Sequence, residues 1–161
     1  MATGPMQVCV SVAVSLGLLL TACGGNSACD DGEVVARRAA NGLAATFTKV
    51  LEGSSTEAGA VSGLRAAIDA RKTAHYDSES KWFVLGASSL PGRAEVTVAI
   101  YAHGEGTLEG SPNGQATVLL CVKVSGAPAS SSPAALTVVT CPSNLPPDAP
   151  RVVHRSVQPE P

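Results

Sequence analysis

Three observations predict an α+β fold. Two stretches with three- and four-residue apolar spacing come first in the chain. Segments with two-residue alternation follow them. The two kinds do not interleave, so helices and antiparallel strands form separate groups, the helices covering the apolar face of a curved sheet. The expected domain is two helices packed on a meander of three or four antiparallel strands.

The first helix is anchored by Asp30 and Asp31, placed to cap its start and complement its macrodipole. Val35, Ala39, Leu43, Phe47, Val50 and Leu51 make its apolar stripe, and Gly53 ends it. Ser54-Ser55-Thr56-Glu57 has the spacing of a capping box, with Ser54 at the N-cap and Glu57 at N3. Val61, Leu64, Ala67 and Ile68 give the second helix its buried side. Gly59 and Gly63 weaken that helix by about 1 kcal/mol each relative to Ala, so it depends on packing.

The period changes at Lys81. Trp82 to Leu85 is a short bulky run. Leu90-Pro91-Gly92-Arg93 is a turn, with Pro presetting one corner and Gly free to take positive φ at the next. Residues 94–103 alternate, with Val96, Val98, Ile100 and Ala102 against Glu95, Thr97, Tyr101 and His103. Residues 115–124 do likewise, with Val118, Leu120, Val122 and Val124 against Thr117, Leu119, Cys121 and Lys123. Residues 136–141 form a last short strand. Gly-, Pro- and Ser-rich loops are expected at 104–114, where Asn113-Gly114 is a turn dipeptide, and at 125–135. The tail 142–161, with prolines and no periodicity, is expected to be disordered. In general look this order is similar to cystatin-like and nuclear-transport-factor-two-like folds, an architectural resemblance that implies no function.

The length of 161 residues suits one domain with appendages. A net charge of -2 gives no electrostatic case for a nucleic-acid partner. Aromatics are only 3% of the chain, so the core is built from small aliphatic side chains.

Residues 7–22, QVCVSVAVSLGLLLTA, are apolar but shorter than a membrane-spanning helix requires. The run resembles a secretory h-region, although MATGPM before it carries no Lys or Arg. Leu20-Thr21-Ala22-Cys23 at its end resembles the lipobox of bacterial lipoproteins. The Ala-rich composition likewise resembles small lipoproteins of high-GC bacteria. The resemblance implies that the Cys23 thiol receives a diacylglycerol and that the chain is cut before it. Two acyl chains give stable anchoring, so the membrane itself is one expected partner. The chain then divides into a signal peptide, 1–22, a tether, 23–33, the α+β domain, 34–141, and the tail.

The leader places the domain in an oxidising space, where disulfides persist. A hairpin centred on Ser130-Ser131-Ser132 sets Cys121 opposite Cys141 with both side chains on one face. Opposed Cα atoms in a non-hydrogen-bonded pair lie about 4.5 Å apart, at the lower edge of disulfide geometry. A Cys121–Cys141 bridge is expected, and Cys29 is left over, either a free thiol in the tether or a bridge between molecules. The cysteines lack the paired close spacings of a zinc site.

No catalytic pattern stands out. Ser78-Glu79-Ser80-Lys81 matches the Ser-x-x-Lys of penicillin-binding proteins, but those enzymes need further motifs and a larger domain. His75, Asp77 and His103 fit solvated surface better than a metal site. Trp82, Phe83 and Tyr101 read first as packing residues; Trp82 and Tyr101 are also candidates to line a pocket between helices and sheet. The expectation is a lipid-anchored extracytoplasmic protein with a binding or structural role, no enzymatic activity and no cofactor, meeting a protein partner at the cell surface. Two alternatives are a carrier of a small apolar ligand and a small enzyme using His103 or Glu95.

Overall fold

A computed structural model of the chain describes residues 27–73, 80–109 and 111–159. Two helices, α1 (Ser27–Glu52) and α2 (Glu57–Thr73), precede five strands. These are β1 (Ser80–Leu90), β2 (Arg93–Leu108), β3 (Ser111–Gly126), β4 (Ala135–Val138) and β5 (Arg155–Val157). The sheet order is β1-β2-β3-β4 with antiparallel neighbours, and β5 pairs parallel to β3. The α+β fold read from the sequence is the fold observed.

Both helices pack on one face of the sheet. Leu43, Phe47 and Leu51 of α1 and Leu64 and Ile68 of α2 are buried against Val96, Val98, Ile100, Val118, Leu120 and Val122. The strand alternation supplies that face as expected. The helical stripe is displaced: Ala36 and Ala40 are fully buried, whereas Val35, Ala39 and Val50 are half-buried at its flank. The helices close on each other at Gly63, where a Cβ would lie 2.8 Å from Val50 Cγ1.

The first helix starts earlier than its apolar pattern suggests. Residues 27–33, expected in a tether, form its first two turns, and Cys29 is buried there. The cause lies in the sheet. Strand β2 extends to Leu108 and gives α1 a longer surface to lie on. The Thr107 amide donates to Ser27 Oγ at 2.8 Å and the Glu105 amide to Asp31 Oδ2 at 3.0 Å. Gly104 permits the approach, since a Cβ there would collide with Ala28 O and the Gly32 backbone.

The same glycines explain a second correction. Residues 104–114 are not a loop. β2 and β3 stay paired through Gly106↔Gly114, and the reversal occurs at Glu109, φ 50°. Asn113 and Gly114 lie within β3. The Pro91-Gly92 turn is as expected, with Leu90 paired to Arg93 and Gly92 at φ 74°. The start of α2 is shifted by two residues from the expected box. The Gly59 amide donates to Thr56 Oγ1 at 3.1 Å, which makes Thr56 the cap, while Glu57 Oε1 accepts from the Gly92 amide at 2.7 Å.

The tail departs most from expectation. After β4 the chain crosses the face opposite the helices, then returns to the edge of β3 as β5. Phe83, Ala99, Tyr101, Leu119 and Cys121 form a second apolar cluster there. Val139, Leu145, Ala149 and Val153 pack onto it. Proline limits regular pairing but does not prevent an irregular segment from covering apolar surface. Arg155 secures the returning strand to α1, reaching Glu33 Oε2 at 3.6 Å and Asp30 Oδ1 at 2.6 Å.

Candidate functional site

Cys23, His75, Asp77, Ser78 and the whole leader lie outside the described residues. Among the described residues no helix is long and apolar enough to cross a membrane. None of them cluster as metal ligands.

Cys121 and Cys141 are bridged, with Cα atoms 5.3 Å apart. Strand β3 presents Cys121 on the face away from the helices, and the segment after β4 brings Cys141 over it.

Trp82 and Tyr101 do not share a pocket. Trp82 pairs with Ile100, whose side chain faces the helices, while Tyr101 is one position out of phase and faces the tail. Alternation along a strand sends successive side chains to opposite faces. Tyr101 is fully buried and packs edge-on against Phe83, ring centroids 5.4 Å apart. Among the described residues its hydroxyl has no hydrogen-bond partner, and burial pushes its pKa up. Trp82 is 5% exposed, and the Arg71 guanidinium carbon sits 4.1 Å from its ring centroid. Burial lowers the pKa of Arg71.

The three groups weighed for catalysis do not converge. Glu95 is tied up in ion pairs with Arg93 at 2.9 Å and Lys123 at 3.9 Å. Tyr101 is sealed under the tail. Only His103 reaches a cleft, and its Nδ1 lies 3.3 Å from Thr117 Oγ1.

That cleft lies where α1 crosses the far end of β2 and β3. Asp31, Val34, Val35, Arg38, His103, Glu105 and Gln115 line its roughly 580 Å³. Asp31 is held by the Glu105 amide, and Gln115 Nε2 donates to Glu105 Oε1 at 3.4 Å. The lining mixes both charges and is open, so it suits a polar surface contact.

A second cavity of about 140 Å³ adjoins it, lined by Val35, Arg38, Ala39 and Gly42 of α1, Arg71 of α2, and Ser80 and Trp82 of β1. Arg38 and Val35 belong to both. Sequence reasoning missed that two arginines line one cavity with the tryptophan. Arg38 and Arg71 lie on different helices, and no local spacing links them.

Comparison with protein-family models, curated proteins and solved structures gave no match. The functional reading therefore rests on the residues themselves.

Proposed function

We propose that this is a lipid-anchored extracytoplasmic protein that acts by binding rather than catalysis at the cell surface. The Cys121–Cys141 bridge carries the reading, because such a bond persists in an oxidising compartment. The lipobox-like Leu20-Thr21-Ala22-Cys23 supplies the anchor. Only residues 24–26 separate Cys23 from the first turn of α1. Four extended steps reach about 14 Å. An acyl anchor at Cys23 thus holds the start of α1, with Asp31 and Glu105 beside it, close to the membrane plane.

A binding role is favoured over chemistry because Glu95, Tyr101 and His103 point to three different environments. The carrier of an apolar ligand is not favoured, since Tyr101 lies across the sheet from the helices and the described clefts have charged linings.

Replacing the anchoring thiol tests the proposal. Cys23→Ala is expected to release the protein from membranes or to leave it uncleaved at a higher mass. Unchanged fractionation together with an unchanged intact mass would refute the anchor.

A further inference from the structure

We infer that the outer edge of β1, from Gly86 to Leu90, pairs antiparallel with the same edge of a second copy of this chain. The inference rests on the binding reading above and names its partner; it does not depend on the anchor.

The sheet guards one edge and leaves the other open. On the far side β4 spans only four residues after Pro133, and β5 covers Val118 to Leu120 of β3. Short edge strands, proline and added cover are the usual protections against unwanted pairing. Among the described residues β1 pairs with β2 alone. None of their backbone hydrogen bonds outside the β1–β2 ladder reaches residues 84–90. Ala87, Ser88, Ser89 and Leu90 are exposed, and a Cβ on Gly86 would have nothing within 4 Å. This stretch begins about 20 Å along the strand from Ser80, where residues 74–79 join β1.

The ladder decides which backbone groups face outward. Its register is regular from Gly86 to Leu90. Leu90 and Arg93 flank the two-residue Pro91-Gly92 turn, which makes them a hydrogen-bonded pair. Bonded and non-bonded pairs alternate along an antiparallel ladder. Ser88 therefore also bonds inward to β2, while the amides and carbonyls of Ala87 and Ser89 point outward.

Two-fold symmetry then selects a register. With Ser88 opposite Ser88 of the second copy, Ala87 and Ser89 meet across the seam and exchange both backbone hydrogen bonds. In the same register Leu90 of each copy stands opposite Gly86 of the other. Gly86, Ser88 and Leu90 share the face away from the helices, because side chains alternate along a strand. Leu90 is 48% exposed, and the open space over Gly86 receives it. No charged side chain occurs from Trp82 to Gly92, so like charges do not meet across the symmetry axis. A foreign strand would gain the backbone bonds but not this reciprocal fit, which favours a second copy.

The full chain is sedimented over a concentration series in an uncharged detergent, with micelles in excess over chains. The expected result is a reversible monomer–dimer equilibrium, weak because the strip is short. Ser88→Lys sets two ammonium groups across the axis and is expected to weaken pairing about fivefold, the effect of one like-charged cross-strand pair. An equal mixture of Ser88→Lys and Ser88→Glu chains is expected to restore it. Ser89→Pro removes an outward amide without a bond to β2 and is expected to weaken pairing at least about tenfold. Both positions are exposed, and an unchanged melting point shows that each variant keeps the fold.

Three outcomes overturn the inference: a monomer at all concentrations up to about 0.1 mM, a dimer whose affinity survives Ser88→Lys or Ser89→Pro, or Lys and Glu chains that pair no better together than apart. Cys23→Ala leaves the equilibrium unchanged, so failure of the anchor and failure of the edge are read separately.

Discussion

Cys121 and Cys141 are bridged although they are not register partners. The β3–β4 ladder sets Val122 against Val138, and the Val139 amide donates to Cys121 O at 2.9 Å. Cys141 lies two residues further on, and its Cα is 5.3 Å from that of Cys121. A two-residue offset preserves the face on which a side chain stands. The bridge therefore forms on the face away from the helices, and it fastens the chain as it leaves the sheet to cross the second apolar cluster.

Removing the bridge should loosen that crossing. The double variant Cys121→Ser/Cys141→Ser is expected to lose about 3 kcal/mol of stability on the chain-entropy model for a loop of this size. Chemical denaturation with and without reductant checks it. Equal midpoints for the wild-type chain in both conditions would contradict the expectation.

The tail is a structural element, so shortening the chain should matter. Val157 is buried, and Leu145, Ala149 and Val153 shield Phe83, Tyr101 and Leu119. A chain ending at Cys141 is expected to lose at least about 2 kcal/mol, the burial of one aliphatic side chain, and to bind a hydrophobic dye. A truncated protein with the original melting point and no dye binding would return the segment to the status of a loose appendage.

Tyr101 predicts an alkaline limit. Its hydroxyl is buried without a partner among the described residues, and its pKa is raised by burial. The folded chain holds this proton more tightly than the unfolded chain, so stability falls as pH rises above about 10, the ordinary tyrosine value. Tyr101→Phe is expected to remove this part of the alkaline loss. At neutral pH it should be neutral or slightly stabilising, because the hydroxyl leaves behind no orphaned partner. Stability curves of both proteins from pH 7 to 11 settle the matter; curves that fall in parallel would speak against it.

Glu57 predicts an acid limb of opposite sign. Its own amide and the Gly92 amide hold the carboxylate below the ordinary carboxylate range. The folded chain releases this proton more readily, so the contribution is present above that range and is lost as pH falls through the lowered folded value. Glu57→Gln is expected to reduce stability at pH 7 and to match the wild type in strong acid. The site is solvent-exposed, so the effect is small, and a difference that persists unchanged at low pH would rule out this origin.

Gly104 predicts a steric limit. A Cβ there would strike the backbone of Ala28 and Gly32, which cannot swing aside as a side-chain tip can. Gly104→Ala is expected to cost about 1–3 kcal/mol, the usual range for overpacking, and to raise hydrogen exchange in the first turns of α1. Exchange confined to β2 would show that the helix does not yield there.

Much of the fold was legible locally. Leu43, Phe47, Leu64 and Ile68 lie on the faces that helical spacing assigns them, and the two valine ladders of β2 and β3 face the helices as alternation requires. Gly92 takes the positive φ that its turn needs. The Cys121–Cys141 pair followed from side-chain parity, even though the register was off by two. The glycines at 104, 106 and 114 misled, because composition reads them as loop, whereas Gly104 and Gly106 let the helix approach the strand and Gly114 makes room for Leu108 of β2. The candidate site was not legible, since Arg38, Arg71 and Trp82 come from three elements.

The sequence by itself determined the two helices, the antiparallel ladders and the face of each strand that meets the helices, because these follow from the spacing of neighbours along the chain. Only the tertiary structure decided that the proline-rich end covers the second face of the sheet, that the first helix begins at Ser27, and that Arg71 stacks on Trp82 beside a cavity that Arg38 also lines. Those outcomes depend on contacts between distant segments, where burial of apolar surface and close backbone approach outweigh local preference.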